Sequence, residues 1–308
     1  MRTYLLPPEG NLYKANLHCH TNLSDGEFSP AQIKDFYKSR GYHAVAFTDH
    51  QICVPHPELS DDDFVALTGI EIAYGIRKST SIHACGISRD PMTELQHPNT
   101  IENDIDKMNE GIRLLKEKNF ITTLNHPRWS GLSTADIASL QGFSNMELLN
   151  GYELVLDGYG DASACYEESL RSGRRILPFA TDDNHHASAP DTPGYEFFQG
   201  FTVLKAPDLS YTSLIEALDK GAFFASTGPM IQNLWLEDGI VHLECSPVRG
   251  VYFHGSLYRH RASKVLKDDT ITQLDFDLGN TFTDSDYLFI KLVDAHGGCA
   301  WACPVWLK

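Results

Sequence analysis

The chain has 308 residues, 42% hydrophobic and 21% charged, with a formal net charge of −16. That length and composition fit one large α/β domain or two smaller ones with ordinary cores. The acidic excess excludes an open nucleic-acid surface, so any phosphate recognition must be local.

Residues 13–17 read as a strand that delivers His18-Cys19-His20. Side chains two apart on a strand share a face, so both imidazoles emerge together and Cys19 turns to the opposite layer. Ser29-Pro30 caps a helix with Ile33, Phe36 and Tyr37 on one face and Gly41 as its stop. Residues 43–48 form the next strand and deliver Asp49-His50; residues 64–72 form another, ending near Glu71. Residues 81–87 follow, with His83 and Cys85 on one face. Ile101, Ile105, Met108, Ile112 and Leu115 repeat at helical spacing. Residues 120–124 are a strand leading into Asn125-His126-Pro127, and residues 146–149 are another. A helix over 166–172 stops at Gly173, and a strand over 175–180 delivers Asp182-Asp183-Asn184-His185-His186. A strand over 200–204 and a Ser210-capped helix ending at Gly221 complete this alternating region. About seven β/α units with chemical residues at successive strand ends predict a TIM-like barrel.

After Gly228-Pro229 the helical period disappears. Short strands at 234–236, 241–245, 251–253, 272–278, 287–293 and 299–307, with Asp238-Gly239 as a hairpin turn, read as an antiparallel β-sandwich. The expected division is therefore residues 1–228 and 229–308. Seven scattered cysteines without a Cys-x-x-Cys suit free thiols in a reducing cytoplasm. The N-terminus lacks a signal-peptide core, and no apolar run approaches the about 18 residues of a membrane span.

His18-Cys19-His20 with Asp25, then Thr48-Asp49-His50, Gly69-Ile70-Glu71, His83, Asn125-His126-Pro127 and Asp183-Asn184-His185 together resemble a PHP (polymerase and histidinol phosphatase) domain, over residues 13 to about 227. The resemblance implies a distorted (β/α)7 barrel holding two to three divalent ions at its strand ends. It implies one ion on His18, His20, Glu71 and Asp183, and a second on Asp25, His50 and His185. A third would share Glu71 and add His83 and His126. The doubled Asp182-Asp183 and His185-His186 allow a shift of one residue; Asp183 and His185 keep the family's Asp-x-His spacing and the strand-face parity. The C-terminal strands and their Ala300-Trp301-Ala302-Cys303-Pro304 ending resemble a two-domain branch of PHP-like hydrolases, some linked to carbamate ester cleavage.

Six imidazoles and three carboxylates suit Zn, Mn or Fe better than Ca or Mg. Three such ions bring six positive charges; three carboxylates and a bridging hydroxide leave about +2, which matches a phosphate dianion. The expected activity is phosphoesterase hydrolysis of a small organic phosphate, such as a nucleotide, with the bridging hydroxide as nucleophile. The alternative is a metallo-hydrolase of carbamate or carboxylic esters; a non-catalytic metal-binding module is the third reading. Asp49 is expected to orient a ligand imidazole. Arg128, just past His126-Pro127, is the first phosphate-binding candidate, ahead of Arg77, Lys78 and Lys205. The expected partner is a small phosphate ester, with no membrane and no extended nucleic-acid surface; a homo-oligomer is compatible.

Overall fold

The computed structural model describes residues 2–77, 80–98, 105–186, 195–267 and 270–308. Lys78 and Ile101, singled out from the sequence, lie outside the described residues.

The architecture is mixed α/β. The strand Asn11–Asn16 pairs in parallel with Ala44–Phe47, which pairs in parallel with Val65–Arg77. Val65–Arg77 then pairs antiparallel with Thr80–Ser88, and that strand antiparallel with Phe120–Leu124. Parallel pairing resumes through Asn145–Asn150 to Leu177–Thr181. The regular β/α alternation read from the sequence is thus interrupted at Thr80–Ser88, which follows Val65–Arg77 directly and forms antiparallel ladders on both sides. Such ladders need no crossover helix, because antiparallel neighbours can be joined directly.

The two ends of this run of strands meet. Past Thr181, the Asp183 N–H donates to the His18 carbonyl (3.0 Å) and the His20 N–H donates to the Asn184 carbonyl (3.2 Å). The strand Phe201–Ala206 pairs antiparallel with Asn11–Asn16 and lies against Leu177–Thr181. Between those two strands Thr202 replaces a backbone ladder. Its hydroxyl accepts from the Ala180 N–H (3.3 Å) and donates to the Ala180 carbonyl (3.1 Å). Thr202→Val keeps the shape but orphans two buried backbone groups, so it should cost about 1–3 kcal/mol, read as a lowered Tm in calorimetry.

The helices form where the sequence caps them. Ser29 accepts from the Gln32 N–H while Gln32 Oε1 accepts from the Ser29 N–H, and Pro30 opens the helix Pro30–Ser39, which buries Ile33 and Tyr37. Ile105–Glu117 buries Met108, Ile112 and Leu115. Tyr211–Lys220 starts at Ser210 and ends on the left-handed Gly221. Thr134–Ser139 and Gly151–Leu156 are helices that the sequence reading did not predict.

The C-terminal strands are antiparallel. Ile231–Glu237 and Ile240–Val248 form a hairpin whose turn residues, Asp238 (φ 49°) and Gly239 (φ 84°), are both left-handed, as the primed turns of tight hairpins require. They join Ile271–Asp277 and the N-terminal strand Arg2–Tyr4 in a four-stranded sheet. The remaining strands, Gly250–Gly255, Arg261–Val265, Tyr287–Val293, Cys299–Ala302 and Val305–Trp306, continue the long sheet, because Phe223–Ser226 pairs with Cys299–Ala302. Ile231, Leu234, Val241 and Leu243 share a buried core with Val251, Phe253, Leu288 and Ile290.

Candidate metal centre

The mouth where the strands meet gathers all nine ligand candidates. His18 and His20 follow the first strand and are both buried; their Nε2 atoms stand 3.1 Å apart. Each Nε2 lies 3.0 Å from Asp183 Oδ1. Cys19 turns into the apolar layer as strand parity requires. Glu71 is the centre of the group. Its Oε1 is 3.3 Å from His18 Nε2, 3.2 Å from His83 Nδ1 and 3.5 Å from His126 Nε2. Its Oε2 is 3.3 Å from His20 Nε2 and 2.9 Å from His50 Nδ1. Asp25, on the exposed rim, reaches His20, His50 and His185 at 3.6, 3.5 and 3.7 Å.

Three of these groupings can each hold an ion: His18, His20 and Asp183; His20, Asp25, His50 and His185; and His50, Glu71 and His83. A fourth, His18, Glu71 and Cys85, brings in a buried thiol. The partition differs from the expected one. His83 sits with His50, and His126 approaches Glu71 and Asp183 (3.8 Å) without joining a compact trio.

The residues fit a divalent cation. His50 Nδ1, Glu71 Oε2 and Asp183 Oδ1 are buried and have no hydrogen-bond partner among the described residues. Buried polar atoms without partners are costly, and a cation facing these lone pairs removes that cost. Burial opposes ionisation of Glu71, but the surrounding imidazoles hold it well below the usual carboxylate range. Burial likewise opposes ionisation of Asp183, and His18 and His20 pull it down. Burial, reinforced by His20, depresses His185 to about 4, which keeps its imidazole neutral. Burial opposes a charge on His18 and His20, but Asp183 and Glu71 raise both, so a cation taken up there would have to displace their protons.

The backbone is strained here. His126 (φ 23°) and Asp183 (φ 55°) are non-glycine residues in the left-handed region, and so is Gln51 (φ 60°), next to His50. Each such residue costs on the order of 1–3 kcal/mol, and strain of this kind clusters at functional sites.

The neighbours of the nine residues differ from the sequence expectation in two respects. Asp49 has no direct hydrogen bond to an imidazole among the described residues; the Ser24 hydroxyl it holds stands 3.5 Å from His20 Nδ1. Asp49 accepts from the Thr21 N–H (2.8 Å), the Thr21 hydroxyl and the Ser24 hydroxyl (2.8 Å), and so fixes the loop that carries Asp25. Arg128 is exposed; its guanidinium donates to the Asp161 carbonyl (3.1 Å) and lies over Tyr159, and none of its described contacts is with the nine residues. A turn after His126, closed by the Ser130 N–H on the His126 carbonyl, carries it outward. Lys205 lies elsewhere, donating to the Gln232 carbonyl and Asn233.

Asp182 and Asp183 point to different places. Asp182 accepts from Tyr37 and from the N–H groups of Phe198, Gln199 and Gly200. Burial pushes it up to about 6 against the pull of those donors. His186 is mostly exposed. Glu196 accepts from the backbone N–H groups of His185 and His186.

Sequence reasoning missed Glu147, a fully buried carboxylate on Asn145–Asn150 that lies 2.7 Å from His18 Nδ1. It also missed Asn125 and Asn150, whose amides donate to Glu71 (2.6 Å) and Asp183 (3.0 Å). Gly160 supports Asn150 from behind; a Cβ there would lie 2.1 Å from the Asn150 carbonyl oxygen. Gly160→Ala should therefore shift that backbone at a cost of about 1–3 kcal/mol. A lower Tm together with weaker metal retention checks this.

No protein-family model matches the chain, and no curated protein matches it. Among solved structures, it is similar to a two-domain protein from Bacteroides vulgatus containing a predicted PHP-like metal-dependent phosphoesterase. The likeness covers 98% of both chains at a TM-score of 0.51 and 15% identity. A proposed metal-dependent phosphoesterase from Bifidobacterium adolescentis matches at 0.42 and 16%, over 61% of this chain and 93% of that one. An amidohydrolase from Chromobacterium violaceum matches at 0.41 and 13%, over 58% and 89%. The last two scores are too low to bear on the fold. At 15% identity the first likeness is one of architecture alone: the chain shares the fold of that protein over nearly its whole length.

Proposed function

We propose that the protein is a metal-dependent phosphoesterase that hydrolyses a small organic phosphate ester, nucleotides included. The observation that carries this reading is the convergence of six imidazoles and three carboxylates on one mouth, where the buried Glu71 and Asp183 face ring nitrogens and no Lys or Arg among the described residues. His18, His20, Asp25, His50, Glu71, His83, His126, Asp183 and His185 would hold two to three Zn, Mn or Fe ions. Bound there, such ions would acidify a water to serve as nucleophile and offset charge on the phosphoryl oxygens.

The chain's own residues supply position. Asp49 keeps the Thr21–Ser24 turn, and with it Asp25, at the rim. A cavity of about 720 Å³ opens beside Asp25 and His50, with Ser24, Gln51, Gln96 and His97 in its wall. It is large enough for the alcohol part of a small ester. Gln51 is pinned there by its amide on the Ala73 carbonyl (2.6 Å).

One observation favours the rival reading, a carbamate or carboxylic ester hydrolase: no Lys or Arg is among the described residues lining that cavity. A panel of phosphate monoesters, diesters, carbamates and carboxylic esters, assayed after Mn²⁺, Zn²⁺ or Fe²⁺ is restored to the metal-free protein, tests the two. Turnover of monoesters above all others is expected.

We further propose that the meeting ends of the strand run are those of a distorted (β/α)7 barrel over residues 1–228, with residues 229–308 as a β-sandwich domain. The Arg2–Tyr4 strand would then lash the first domain to the second. All seven cysteines are unpaired, which supports a reducing, cytoplasmic setting. Among the described residues no helix is long and apolar enough to cross a membrane.

A further inference from the structure

Glu147 makes four contacts with donors, enough to occupy every lone-pair direction of a carboxylate. Oε1 lies 2.7 Å from His18 Nδ1 and accepts from the Thr181 hydroxyl at 2.7 Å. Oε2 accepts from the His126 backbone N–H at 2.7 Å and from Asn150 Nδ2 at 3.0 Å. These partners come from several strand ends, Asn150 from that of Glu147 itself, and three of the four lead to a ligand candidate. The first is a ligand ring. The second is the backbone of His126, in its strained left-handed conformation. The third, Asn150, also donates to Asp183 Oδ2 at 3.0 Å.

We propose that Glu147 is the positioning residue that assembles the metal centre, by fixing the His18 tautomer and tying His126 and Asp183 to the same carboxylate. The inference rests on the metal-binding reading above. A carboxylate can only accept, so His18 Nδ1 must carry a proton. The Nε2 lone pair is then presented to the side occupied by His20 and Asp183. An outer carboxylate that orients a ligating imidazole is a recurrent requirement of metal sites.

The isosteric variant Glu147→Gln tests this, because its amide must place an NH2 group on one side. On the His126 side it would meet a backbone N–H and the Asn150 amide. Asn150 cannot turn over, since its Oδ1 already accepts from the Glu153 N–H (3.1 Å). The NH2 group therefore falls on the His18 side, where the Thr181 hydroxyl can rotate to accept and His18 Nδ1 must accept too. The His18 proton moves to Nε2 and blocks ligation. The logic is that of an asparagine replacing a triad aspartate, where the wrong imidazole tautomer abolishes function with the geometry intact.

Zinc affinity of the reconstituted protein, measured by chelator competition, should fall about 10–100-fold in Glu147→Gln. The downfield Nδ1 proton resonance of His18 in the zinc-loaded wild type should be lost. Glu147→Asp, which keeps an acceptor, should recover part of the affinity, and Thr181→Val should stay near wild type. Wild-type zinc affinity in Glu147→Gln, or an equal loss in Glu147→Asp and Thr181→Val, would overturn the proposal. A wild-type protein that takes up no metal would instead refute the metal-binding reading itself, so the two failures are distinguishable.

Discussion

Asp183→Ala and His185→Ala should each strip metal from the protein, whereas His186→Ala should leave metal content unchanged and Asp182→Ala should lower stability first. Asp183 Oδ1 is the nearer anion to His18 and His20, at 3.0 Å from each, so its removal leaves the two rings with Glu71 at 3.3 Å as the remaining carboxylate on their Nε2 atoms. The loss should exceed about 100-fold in affinity, the upper end of what removing an outer partner costs. Asp182 serves a different structure. Its oxygens hold three backbone N–H groups of the 198–200 loop and the Tyr37 hydroxyl, and each donor orphaned by alanine costs about 1–3 kcal/mol. Below its lowered Tm, the folded Asp182→Ala protein should still take up metal. Metal removal from the wild type should itself destabilise, by about 4 kcal/mol when the ion had stood at a thousand times its dissociation constant. Elemental analysis and calorimetry on the four variants check the ranking. The reverse order would shift the motif by one residue.

Much of this site is legible in the sequence because strand parity and metal chemistry are both local rules. A His-x-His after an apolar strand puts two rings on one face, and the structure places Cys19 opposite. Ser29, Ser210 and Asp238-Gly239 mark their helix and hairpin boundaries by cap and turn chemistry alone. Glu147 was missed for a physical reason. All six residues of Asn145–Asn150 are buried, so the strand shows no period-two pattern that would flag an inward carboxylate. A signal was present, since a carboxylate among Met146, Leu148 and Leu149 cannot be buried without partners. Asp49 is expected to orient an imidazole because metal-site carboxylates commonly do, but the donors of the Thr21–Ser24 turn that occupy it come beside it only in the fold. The strands Arg2–Tyr4 and Arg261–Val265 are short and mostly exposed, so they lack the apolar alternation that marks a half-buried strand.

Inorganic phosphate should inhibit competitively with substrate, and Arg128→Ala should leave that inhibition almost intact. Three divalent ions would bring six positive charges against three carboxylates, Asp25, Glu71 and Asp183, so a dianion would gain both ligand bonds and charge at this mouth. A neutral carbamate gains only polarisation of its carbonyl. The surplus must come from the ions, because no Lys or Arg is among the described residues of the adjoining cavity and Arg128 is engaged with Asp161 and Tyr159 at the surface. A phosphate contact by Arg128 would be a charge-assisted hydrogen bond, and its loss would weaken inhibition by about 1.5–3 kcal/mol, or more than tenfold. That result would show that substrate draws Arg128 off the Asp161 carbonyl and into the mouth. Metal content should be the same in both proteins, since Arg128 is no ligand. Efficient turnover of aryl carbamates or acetates, with phosphate inert as both substrate and inhibitor, would replace the phosphoesterase reading by its rival while leaving the nine-residue metal centre in place.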